Sequence, residues 1–192
     1  MENLILTEGE RNSIIPSTPA VRLGANGRGV EAVAAEACAS KDAFYIVFIH
    51  ADTGGRALER GIEDRSLSYC KAMEALCQWP STRCLVVAPR HETEAWILAD
   101  PSAITKALGY NGAFTEIGLP EDAKQAEKLP DPKEMLSNAL SRARGQRRPN
   151  DPERIFPAIA QRQRIDMLRR SASFQSFENS LRLALRDLGA VR

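Results

Sequence analysis

Ala43-Phe44-Tyr45-Ile46-Val47-Phe48-Ile49 is a continuous run of β-branched and aromatic residues, and a run without polar alternation cannot leave one face in water. It reads as a central strand covered on both sides. The run stops at His50-Ala51-Asp52-Thr53-Gly54-Gly55-Arg56, where polar side chains and paired glycines begin a loop. Downstream, Leu67, Cys70, Met73, Ala75 and Leu76 recur at approximately helical spacing through Trp79 until Pro80 ends the pattern. A second wholly apolar strand, Cys84-Leu85-Val86-Val87-Ala88, follows and runs into Pro89 through Asp100, read as a strand end and a short helix. Upstream, Val30, Val33, Ala34 and Ala37 mark one amphipathic helix. Strands alternating with helices in this order indicate a parallel sheet with helices on its faces and right-handed crossovers, so the expected class is α/β.

The flanks are less regular. Asn3-Leu4-Ile5-Leu6-Thr7 is a short apolar run ended by Glu8-Gly9-Glu10, and Pro16 and Pro19 then mark an irregular crossing. Beyond Asp100, a short helix is expected over 101–108, a loop over 109–131, and helices over 132–144, 152–160 and 174–188, with Ser171 or Ser173 available to cap the last. The expected organisation is an α/β core over 1–108 and a loop and helical C-terminal extension over 109–192, packed on that core.

A chain of 192 residues with 43% hydrophobic and 27% charged side chains has room for one ordinary core and the balance of a soluble globular protein. The net charge of +1 hides an asymmetry: residues 1–139 hold 14 basic and 20 acidic side chains, whereas residues 140–192 hold 12 basic and 5 acidic ones. All twelve of those basic residues are arginines, a distribution compatible with binding a phosphate backbone or with docking on the acidic body. Cys38, Cys70, Cys77 and Cys84 are irregularly spaced, with no two-residue gap of a zinc knuckle. They are too few and too irregular for a disulfide framework; Cys70 and Cys77, seven apart, share a helix face and read as small core residues, and the expected context is a reducing cytoplasm. No apolar run reaches the roughly 18 residues that span a membrane, and Met1-Glu2-Asn3 lacks the basic start of a secretory signal.

Ligands of open parallel sheets bind beyond the carboxyl ends of the strands. The residues there are polar: Glu8 and Glu10, then His50 and Asp52, then His91, Glu92 and Glu94. Acidic side chains gathered at one sheet edge repel, and a divalent cation or a basic partner offsets that cost. A magnesium site is the sharp reading. Asp52 alone can form an Asx turn, but its position after a buried strand in a glycine-flexible loop favours function. His50 is a metal ligand, a general base or a capping group. Of Glu92 and Glu94, two apart on a helix, only one faces the cleft, and Glu94 is chosen. Trp96, Ile97 and Leu98 read as core. Arg56, four residues past Asp52, can hold a phosphate bidentately, and Arg60 follows it as a second substrate-binding candidate. P-loop, GxGxxG, HExxH and GxSxG motifs are absent from the sequence.

Leu6-Thr7-Glu8-Gly9-Glu10, the strand ending His50-Ala51-Asp52, and Pro89 through Glu94-Ala95-Trp96-Ile97-Leu98-Ala99-Asp100 together resemble the bacterial family catalogued as domain of unknown function 4276. The segment Leu168-Arg169-Arg170-Ser171-Ala172-Ser173-Phe174-Gln175-Ser176-Phe177 resembles the family's C-terminal pattern, so the likeness covers most of the chain. That family is regarded as related to the Toprim domain of topoisomerases, primases and nucleases, which binds magnesium through a glutamate after the first strand and an Asp-x-Asp after a later one. The resemblance implies Glu8 as that glutamate and Asp52 as the second aspartate; taken with the strand-end reading, the expected metal ligands are Glu8, Asp52 and Glu94, the expected catalytic residues His50, Asp52 and Glu94, and the substrate contacts Arg56 and Arg60. His50 stands where the first aspartate is expected, which lowers the negative charge and weakens the case for two metals. Between Glu8 and the glycine-rich turn at Gly24–Gly29 there are too few residues for the usual first helix, and two of them are prolines. The expected function is a Toprim-like, magnesium-dependent phosphodiester enzyme on nucleic acid, in phage defence or a mobile element. The alternative is a non-catalytic module that works with a partner encoded in the same operon.

Overall fold

The computed structural model describes residues 5–6, 16–17, 29–50, 60, 67–91, 93–144 and 155–190. Two compact units interleave along the chain: one comprises Met1–Ala51, Leu58–Ala88 and Phe177–Arg192, the other Asp52–Ala57 and Pro89–Ser176. The architecture is mixed α/β and predominantly helical.

In the first unit, β3 (Val47–His50) and β4 (Cys84–Val87) pair in parallel, with Val47 opposite Cys84 and His50 opposite Val87. The apolar run over 43–49 serves two cores at once. Val47 and Ile49 join Phe44, Met73 and Trp79 beneath α1 (Val30–Ala39) and α2 (Ser68–Cys77), while Ile46 and Phe48 join Leu85 on the other side. Alternation along a strand with both faces buried requires an apolar layer on each side. The second layer comes from the far end of the chain: Phe177, Leu181, Ala184, Leu185 and Leu188, at helical spacing, cover Ile46, Phe48 and Leu85. All but the terminal Leu188 belong to α9 (Ala172–Asp187). Arg83 Nε donates to Asp187 Oδ2 at 2.8 Å, tying the end of that helix to the approach to β4.

Several sequence expectations change here. The short first strand, β1 (Ile5–Leu6), pairs antiparallel with β2 (Pro16–Ser17) in a sheet separate from β3 and β4. Among the described residues the parallel sheet therefore has two strands, and β3 is not central in it. Pro16 is accommodated because a two-stranded ladder has only edges. The apolar face of the sheet takes its cover from α9, in the C-terminal part of the same compact unit. The cysteines are the largest correction. Cys38 of α1 is bridged to Cys77 of α2, and Cys70 of α2 to Cys84 at the start of β4, with Cα separations of 5.8 and 5.7 Å. Their irregular spacing concealed this, because it is packing of α1 and β4 against α2 that brings the pairs together. Residues seven apart on a helix rise by about 10 Å, so Cys70 and Cys77 each reach a different neighbour.

The second unit is helical: α3 (Glu94–Ile97), α4 (Pro101–Leu108), α5 (Ala123–Ala126), α6 (Pro132–Arg144), α7 (Phe156–Ala160) and α8 (Ile165–Leu168). Leu98, Ile104, Ile117, Leu136, Leu140 and Ile159 form its main core. The stretch 109–131, expected as loop, contains α5 and a 3₁₀ turn over Phe114–Ile117. Asp122 starts α5 by accepting from the Gln125 amide at 3.0 Å, and one short turn is too brief for periodicity to reveal. No helix among the described residues is long and apolar enough to cross a membrane.

Each bridge closes a loop, of 39 and 14 residues. Loop-closure entropy assigns about 4 and about 3 kcal/mol to such loops taken singly, and less than the sum together because the loops overlap. Urea unfolding with and without excess dithiothreitol is expected to show a midpoint lowered on reduction and in Cys38→Ala/Cys77→Ala. Equal midpoints would show that the bridges do not hold α2 in place.

Candidate functional site

The parallel pairing puts the carboxyl ends of β3 and β4 side by side, so the chain leaves both strands at one sheet edge. His50 is the last residue of β3 and is half-buried. After β4, Ala88 and Pro89 are buried, Arg90 is exposed, and His91 adopts a left-handed backbone with φ of 65° before α3 begins. Such a conformation is uncommon outside glycine and asparagine, though histidine tolerates it better than most. Glu94, half-buried, is the first residue of α3, and its carbonyl accepts from Leu98 N at 2.8 Å.

Of the residues expected to carry chemistry, Glu8, Asp52, Arg56 and Glu92 lie outside the described residues. Arg60 is helical and exposed. His50 belongs to the first unit and Glu94 to the second. The idea of three strand ends at one edge reduces to two, because β1 lies in the other sheet. Among the described residues no three His, Cys, Asp or Glu side chains gather as a metal site.

What the structure brings together instead is two of the stretches that carry the family resemblance. Trp96 Nε1 donates to Ser173 Oγ at 2.7 Å, and its ring meets Phe174 edge-on at a centroid distance of 5.3 Å. Of the three residues expected as core, Ile97 and Leu98 are buried and Trp96 is half-buried. Asp100 has no solvent exposure. Its Oδ1 caps α4 by accepting from Ala103 N at 3.3 Å, with Pro101 at the first helical position. The remaining capacity of this carboxylate is taken by Arg164: Nε to Oδ2 at 2.9 Å, Nη2 to Oδ1 at 3.0 Å, and the Arg164 backbone N–H to Oδ2 at 3.1 Å. Burial alone would raise the carboxyl's pKa, but the hydrogen bonds and charge of Arg164 outweigh it and hold the group below its ordinary value.

A second buried carboxylate closes the same unit. Glu127 accepts from Ser171 Oγ at 2.6 Å, Ser173 Oγ at 2.5 Å, Ser173 N at 3.0 Å and Ala172 N at 3.1 Å. Ser171 Oγ in turn accepts from Phe174 N at 3.1 Å, as a helix cap does, so of the two serines available to cap the last helix it is Ser171 that does so. Burial opposes the Glu127 charge, and the two hydroxyls and two amides more than offset it, so its pKa also lies below normal. Sequence reading missed Glu127 and Arg164. Glu127 sat within the stretch expected as loop and Arg164 within an undifferentiated arginine-rich tail, and neither partner lies at helical spacing.

A family model described as Domain of unknown function (DUF4276) matches residues 22–182. No curated protein and no solved structure matches the chain.

Both carboxylates have depressed folded-state pKa values, so the unfolded chain binds protons first as pH falls. Their contribution is complete above the ordinary carboxylate range of about 4 and is lost as pH drops through the folded values. Stability of the helical unit is therefore expected to fall steeply below about pH 4. Glu127→Gln is expected to cost on the order of 2 kcal/mol or more at pH 7 and to flatten that acid limb, read by urea unfolding. A variant as stable as the parent would show the carboxylate to be dispensable.

Proposed function

This chain belongs to the DUF4276 family, and on that premise we propose that it is a Toprim-like, magnesium-dependent phosphodiester enzyme acting on nucleic acid. The observation that carries the reading is the parallel register of β3 and β4: with His50 opposite Val87, the segments holding Asp52 and Glu94 both start from the carboxyl edge of one sheet, where such folds bind ligands. Magnesium takes carboxylate oxygens. Asp52 and the half-buried Glu94 would hold it, with His50 as ligand or base and Arg56 and Arg60 on phosphate. Glu8 follows a strand of the other sheet, so the metal pair rests on Asp52 and Glu94. When bound, the ion would supply positive charge at a phosphate oxygen. A cytoplasmic setting and a role in phage defence or a mobile element belong to the same reading. The two bridges count against a reducing compartment, where such cysteines would stay as thiols.

One observation favours the second reading, a non-catalytic module working with an operon partner. The stretch Glu94–Asp100, part of the resemblance, spends Trp96 and Asp100 on internal contacts rather than on a cleft.

Incubation of supercoiled plasmid with protein and magnesium is expected to give nicked product, and both Asp52→Ala and Glu94→Gln are expected to lower the rate at least about 100-fold. Equal nicking by Asp52→Ala, or none by the parent, rules out the enzyme. Calorimetry showing no magnesium binding, with a stable complex formed by a neighbouring gene product, would establish the module.

A further inference from the structure

Asp100 and Arg164 form an asymmetric pair. The carboxylate is fully buried, while the Arg164 side chain keeps 53% of its surface exposed. The inward edge of the guanidinium is consumed by the contacts from Nε and Nη2. Arginine carries five N–H donors in a fixed plane, so three remain, and its guanidinium makes no other hydrogen bond to a described residue. The backbone is anchored as well: Arg164 N–H donates to Asp100, and the neighbouring Gln163 side-chain amide donates to the Trp96 carbonyl. An exposed cation held this way has already lost the side-chain freedom that an arginine ordinarily gives up on binding. The ion pair also raises the Arg164 pKa further, so the charge is permanent.

Arg162, Arg169 and Arg170 accompany it, all exposed, in the ten residues 161–170, where Asp166 is the only acidic side chain. Arg162 is steadied by donating from Nη1 to the Ala158 carbonyl at 2.8 Å. Arginines strung along a chain segment match a ligand that presents phosphates repeatedly, and planar N–H pairs match phosphate oxygens.

We propose that Arg164, fixed by Asp100, centres a phosphate-binding face with Arg162 and Arg170, and that its ligand is the phosphodiester backbone of a nucleic acid. This rests on the nucleic-acid reading above and assigns the backbone contact to residues of the helical unit, apart from Arg56 and Arg60.

The test is fluorescence anisotropy of a labelled single-stranded oligonucleotide in EDTA, which removes metal-dependent cleavage from the measurement. Titrations run across about 50 to 200 mM salt. Arg162→Ala/Arg170→Ala leaves the Asp100 pair intact, so its melting temperature should match the parent. Its affinity is expected to fall at least about tenfold, and the slope of log K against log salt to shrink by about one to two. Arg164→Lys keeps the charge but loses the fork, and is expected to bind more weakly than the parent where circular dichroism shows it folded. Unchanged affinity and slope in the double variant would overturn the proposal, and that variant decides the matter even if Arg164→Lys does not fold. Displacement of the oligonucleotide by inorganic phosphate at equal phosphate concentration would also overturn it, as the mark of a free-phosphate site. Loss of nicking with binding retained would sink the enzyme reading alone and leave this one standing.

Discussion

A carboxylate with no access to water must be fully paired or it will not remain charged, and Asp100 is such a group. Satisfying it requires the first turn of α4 on one oxygen and Arg164, from sixty-four residues further on, on both. The local stretch cannot meet that demand by itself. The chain has to return, and when it does it also places Gln163 against the Trp96 carbonyl. The constraint thus selects a tertiary arrangement and leaves a guanidinium standing at the surface in a defined orientation.

Glu127 applies the same logic to the last helix. Four hydrogen-bond donors converge on its carboxylate, all from Ser171, Ala172 and Ser173 at the start of α9. A negative charge at a helix N-terminus satisfies orphan amides and complements the backbone dipole. From that capped start the same helix continues into the apolar stripe that covers Ile46, Phe48 and Leu85. One helix therefore carries both a polar anchor and the second hydrophobic layer of the sheet.

The parts of the fold legible in the sequence were those with local signals. Val47 to Ile49, Cys84 to Val87 and the helices over Val30–Ala39, Ser68–Cys77 and Pro101–Leu108 announced themselves through continuous apolar runs or helical periodicity. The disulfide pairs, the buried carboxylates and the assignment of α9 to the sheet depend on residues far apart in the chain, and no spacing rule encodes them. The same limit applies to the candidate site. Strand ends pointed to His50 and Glu94, but the stretch Glu94–Asp100 looked chemical because it is rich in polar and aromatic groups. Trp96 and Asp100 turn out to be satisfied internally, and the exposed group that results, Arg164, looked like one arginine among twelve.

Trp96 and Asp100, within a stretch that carries the resemblance, are held by internal contacts, while the proposed chemistry falls to neighbours at the strand ends. The claim on which the rest stands is that Asp100 and Arg164 are energetically coupled. A double-mutant cycle of Asp100→Asn and Arg164→Gln, followed by urea unfolding at pH 7, measures it directly. A loss in the double variant clearly smaller than the sum of the single losses is expected, with Asp100→Asn destabilised. Additive losses would contradict the account, because they would show the buried carboxylate and the exposed guanidinium to be independent.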